Sequence, residues 1–164
     1  MHLGGALFPR TTEEVVETIE AVFSAFPSEL RFGDYGHAEF YFVSGGPAFD
    51  LPYSSVESSL MIDMNVDLGL GVATWWCGPN ITSELVASGK DHLGNSAWVS
   101  LTSGELRKKG EVVLDPHAGT FASPRSILPL SALKAVVEEY CLAGCGFRPE
   151  AIQWGVGTHT GELL

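Results

Sequence analysis

Apolar residues recur at helical spacing near both ends of the chain and at alternate positions between them. Near the start, Val15, Ile19, Val22 and Phe26 share one helix face, with Val16 and Phe23 beside them. Thr11 or Thr12 caps this helix, and Glu14, three residues after Thr11, completes a capping box. Glu13, Glu14 and Glu17 suit the positive end of the helix dipole, and Pro27 stops the helix. Near the other end, Leu133, Val136, Val137, Tyr140 and Cys141 form a second stripe, with Lys134, Glu138 and Glu139 on the opposite side. Ser131 stands where an N-cap belongs, Gly144 suits a left-handed C-terminal residue, and Pro149 prevents the helix from resuming. A short strand, Ile152-Gln153-Trp154, follows.

Between the helices the period changes to two. Residues 37–44 read as a strand closed by Gly45, Gly46 and Pro47. In the next strand, residues 59–67, Leu60, Ile62, Met64 and Val66 share one face, and Met61, Asp63, Asn65 and Asp67 share the other. The first face predicts core and the second an acidic, wet surface, as an antiparallel sheet permits. After a turn at Gly69, residues 70–77 form another strand ending in Trp75 and Trp76, only one of which can face a one-sided core. Residues 77–95 read as a loop with a short helical turn around Ser83–Val86. Strands are predicted at 97–101 and 111–114, with brief pairing at 119–122. The fold class is α+β: one mainly antiparallel sheet with an N-terminal and a C-terminal helix packed against it. Residues 1–164 make a single domain, with 1–10 as a flexible leader.

Charge narrows the partners. The 164-residue chain carries a formal net charge of −11. That argues against phosphate-backbone binding, which needs basic residues to displace counterions, and favours a basic protein partner or simply keeps the protein soluble. Three cysteines at no disulfide-like spacing, a glycine-rich start without a signal segment and no apolar run of roughly 18 residues predict a cytoplasmic protein off the membrane.

Candidate chemistry is sparse. His37-Ala38-Glu39 matches the H-x-E half of the zinc deaminase signature, but the P-C-x-x-C half is missing and a strand follows where that signature opens a helix. Cys141 and Cys145 are not spaced as a metal or redox pair and read as core thiols. Asp63, Asn65 and Asp67 offer oxygen ligands, yet alternate strand residues lie about 7 Å apart, too far for three to hold one ion unaided. No catalytic set, metal site or cofactor is predicted.

One stretch resembles a known family. The order of an extended segment, Pro129-Leu130, an amphipathic helix, Gly144, Arg148-Pro149 and Gln153-Trp154 is similar to the end of the first-described immunity family of bacterial polymorphic toxin systems. Members typically close with a V-P helix, a small loop, R-P and a terminal W. The strand at 60–67, the glycine turn and the strand after it resemble the family's middle in order. The resemblance implies a small cytoplasmic α+β protein that binds a cognate toxin domain, often a nucleic-acid deaminase, and blocks it without catalysis or cofactor. It also marks Pro129, Arg148, Pro149 and Trp154 as architectural. An acidic chain meeting a basic toxin cleft points to Glu39, Asp63 and Asp67 as contacts, with an exposed aromatic, Trp75 or Trp98, as anchor. The competing readings are a small hydrolase or deaminase using His37, Glu39 and a cysteine, and a small-molecule-binding or scaffolding domain with a pocket at Trp75 and Trp76.

Overall fold

The computed structural model describes residue 9 and residues 11–24, 35–43, 56–94, 96–104 and 106–164. Most of the expected leader, the helix stop at Pro27 and the turn at Gly45–Pro47 lie outside the described residues. In chain order the elements are α1 (Thr12–Ser24), β1 (Tyr35–Val43), β2 (Val56–Asn65), β3 (Leu70–Cys77), α2 (Pro79–Ala87), a 3-10 turn (Asp91–Leu93), β4 (Ala97–Leu101), β5 (Val113–Asp115), β6 (Thr120–Phe121), β7 (Leu128–Pro129), α3 (Leu130–Ala143) and β8 (Gln153–Gly157).

The architecture is α+β. An antiparallel sheet runs β1-β2-β3-β4-β8, with β7 beside the start of β3, and α1 and α3 pack against it. On the helix side, Leu60, Ile62 and Met64 of β2 and Ala73 and Trp75 of β3 meet Ile19 of α1, Ile81 and Leu85 of α2, and Leu133, Val136, Val137 and Tyr140 of α3. Burying each of the leucine, isoleucine, valine and methionine side chains contributes about 1.5–3 kcal/mol. The capping box forms as its residues dictate: Glu14 N–H donates to Thr11 Oγ1 and Thr11 N–H to Glu14 Oε2.

Three expectations are corrected. The second sheet face is not wet throughout. The β5–β6 hairpin covers part of it, and Leu70, Val72, Val99, Val112, Leu114, Ala122 and Ile127 form a second core there. Both faces of β3 are therefore buried from Leu70 to Trp75. The short helical turn at Ser83–Val86 is a nine-residue helix, started by Pro79 at its first position and held down by Ile81 and Leu85, four residues apart. Ser131 does not cap α3. That helix begins at Leu130, whose N–H donates to Gly69 O at 3.0 Å, so a strand turn meets the open amide where a side chain was expected.

The ladder between β3 and β4 has only two residue pairs, and a buried hydroxyl bridges the gap beyond them. Ser100 Oγ accepts from Ala73 N–H at 3.1 Å and donates to Ser126 O at 2.7 Å. At the β8 edge the C-terminus turns back: Gly157 bridges Leu163, and Leu164 N–H donates to Val156 O.

Candidate functional site

Residues paired across an antiparallel sheet share a face, so the register of β1 and β2 decides which polar groups meet. His37 lies opposite Asp63, Glu39 opposite Met61 and Tyr41 opposite Ser59; Trp76 of β3 in turn lies opposite Ser59. These side chains occupy the second face: Asp63 lies opposite Val72 at the border of the core beneath the hairpin, and Glu39, Tyr41 and Trp76 lie farther along the strands. Asp63 is only 1% exposed, yet it carries two donors: Tyr35 Oη at 3.0 Å and His37 Nδ1 at 2.7 Å. The His37 side chain is 40% exposed. The hydrogen bond to Asp63 raises the pKa of His37 above the ordinary histidine value against the opposing effect of burial, and the negative charges of Asp63 and Glu39 add to the rise. Glu39 is fixed in the same way: Ser59 Oγ donates to Oε1 and Tyr41 Oη to Oε2, both at 2.5 Å. Tyr41 is 48% exposed, Met61 and Trp76 are half-buried, and His159 meets the Trp76 ring edge-on with centroids 5.7 Å apart.

Of the five expected contacts, Glu39 and Asp63 share this face. Asp67 is exposed in the turn between β2 and β3, beyond the end of β2. Trp75 is fully buried on the helix side, where its Nε1–H donates to Gly146 O, so it cannot serve as an exposed anchor. Asp63 is a buried acceptor that reaches the surface through His37. Trp98 faces the helix side, half-buried, with its Nε1–H on Leu93 O and the Arg148 guanidinium 4.3 Å above its ring. Trp76 is the tryptophan that points the other way; as site residues it and His37 enter the sequence reading only in the enzyme and pocket alternatives, and Tyr41 not at all. Their signal was present: 35, 37, 39 and 41 alternate on one strand face.

The closing unit locks around Arg148. Its guanidinium lies over Trp98 and 5.9 Å from the Trp154 ring centre, while Trp154 Nε1–H donates to Pro149 O at 2.8 Å. Gly144 takes the left-handed conformation, φ 62°, and ends α3. Gly146 O accepts from both Ser58 Oγ and Trp75 Nε1, and Tyr140 Oη donates to Ser58.

The alternatives gain little geometry. Cys77 and Cys141 belong to the helix-side core, away from His37 and Glu39. Burial pushes the Cys77 thiol up and the Cys141 thiol up to about 12, which leaves little nucleophilic thiolate at neutral pH. Among the described residues no three His, Cys, Asp or Glu side chains converge as a metal-binding group. Trp75 and Trp76, on opposite faces, do not line a common pocket. A groove of about 600 Å³ lies elsewhere, among Leu101, Thr102, Arg107, Leu128, Pro129 and Gln153. No helix among the described residues is long and apolar enough to cross a membrane. No family model, curated protein or solved structure matches the chain.

Proposed function

We propose that the chain is a cytoplasmic immunity protein that binds a cognate bacterial toxin domain and occludes its active site, with no catalysis or cofactor of its own. A nucleic-acid deaminase is the toxin class that the resemblance favours. The observation that carries this reading is the closing unit. Pro129, Gly144, Arg148, Pro149 and Trp154, on which the family resemblance rests, act together as one piece of architecture: helix start, helix stop and a Trp–Arg–Trp stack. The net charge of −11 supports a basic partner, because a nucleic-acid-acting toxin presents a basic cleft.

Co-expression with the protein encoded by the adjacent upstream gene tests it. Survival of cells that the neighbour alone kills, together with a complex of the two purified proteins, is the expected result. Absence of both binding and protection overturns the reading. In that case the groove by Arg107 and Gln153 becomes the place to look, and a small molecule retained on purification would favour a ligand-binding domain.

A further inference from the structure

We infer that the toxin docks on the open part of the second sheet face, around Glu39, Tyr41, His37 and Trp76, and presents a basic side chain to Glu39. This rests on the immunity reading and names its surface. Three observations converge on it. The first is charge: Glu39 is the carboxylate this face presents, β1, β2 and β3 hold no lysine or arginine to neutralise it, and the one cation beside it, His37, is engaged by buried Asp63. The second is preorganisation. Glu39 is held by two hydroxyl donors, one on each oxygen, and each carboxylate oxygen can accept a second donor. A carboxylate already fixed in place loses little conformational freedom when a guanidinium or ammonium arrives. The third is composition. A half-exposed tyrosine, a half-buried tryptophan and Met61 surround that carboxylate, and Tyr, Trp and Met are the residues enriched in protein interfaces.

The rest of the molecule offers less. The hairpin occupies the neighbouring part of the same face, and the helix side is core. Trp98 and Trp154 are committed to Arg148. The groove by Arg107 also holds Glu150, so its charge selects neither sign of partner.

The test is titration of the purified protein against the toxin domain encoded upstream, with Glu39→Gln and Tyr41→Ala compared with Glu17→Arg on the exposed side of α1. Glu39→Gln keeps the shape of the side chain while removing its charge, and thermal melts of all three variants establish that they fold. The expected result is that Glu39→Gln and Tyr41→Ala each weaken binding by about tenfold or more, whereas Glu17→Arg changes it by less than about twofold. Binding by the wild type with both face variants unaffected overturns the surface and leaves the immunity reading standing. No binding by the wild type overturns both. Self-association of the protein alone, lost in Tyr41→Ala, would assign the face to a second copy and also overturn the inference.

Discussion

At the scale of single residues, the least expected placement is a carboxylate with 1% exposure in a strand read as half wet. Asp63 is tolerable there because Tyr35 and His37 both donate to it, and unmet acceptors of this kind are costly. Asp63→Ala strands both donors and should destabilise the protein by about 1–3 kcal/mol in urea titration; a loss within error would mean the pair adds nothing. His37 gives the pH dependence a definite sign. Its folded pKa lies above its unfolded value, so the fold favours the imidazolium. That contribution is complete below the unfolded value of about 6.5 and disappears as pH rises through the folded value. The stability difference between wild type and His37→Gln should therefore shrink as pH is raised from about 6 to about 9. A difference that grows over that range would contradict the assignment.

At the scale of elements, the close approach of α3 to β3 depends on a missing side chain. A Cβ on Gly71 would lie 2.5 Å from Asp63 O and 2.7 Å from Leu133 Cδ1, and the first of these is backbone that cannot swing away. Gly71→Ala should thus cost about 1–3 kcal/mol, measured by urea unfolding; a neutral substitution would show that both β2 and α3 give way freely at this point. Arg148 holds the other end of the same unit. Arg148→Ala removes the stack between Trp98 and Trp154 and should cost about 1–3 kcal/mol, with Arg148→Lys regaining only part because an ammonium lacks the planar face. Equal stability of all three proteins would mean that the stack is incidental.

Which elements could be read in advance follows from the range of the interactions that set them. The capping box, the Gly144 stop and strand 70–77 are fixed by neighbours in the chain, and they stand where the pattern put them. The start of α3 depends on Gly69 O, some sixty residues away, and no local signal announces it. The burial of Asp63 has the same origin. The alternation separated its face correctly, but the hairpin that covers the adjoining part comes from residues 111–122, where Glu111 O accepts from Asn65 and Leu114 O from Tyr35, partners that lie far from Asp63 in sequence. The pattern also restricted Trp75 and Trp76 to opposite faces without saying which was which. That choice was settled by Gly146 O, which offers an acceptor to the indole that turns inward.

For the molecule as a whole, the dominant quantity is the charge of −11, since twenty acidic residues face nine basic ones. Within the fold, Lys134 pairs with Glu20 and Glu138, Lys90 with Glu150, and His37 with Asp63, and nine basic residues cannot neutralise twenty acidic ones. Such a surplus does not build the sheet, and self-repulsion slightly opposes it. For the proposed toxin it would supply a field that reaches beyond contact distance and draws in a basic partner before the surfaces touch. At about 0.1 M salt the screening length is about 10 Å, and it shrinks to roughly half that near 0.5 M. A basic toxin steered by this field should therefore associate about tenfold or more slowly when salt is raised from about 0.05 M to about 0.5 M. Dissociation should change much less, because it is governed by short-range contacts such as those expected at Glu39 and Tyr41. Stopped-flow mixing at several salt concentrations separates the two rates. An association rate that ignores salt would mean that the acidic surface serves solubility alone, and the partner's charge would then have to be sought elsewhere.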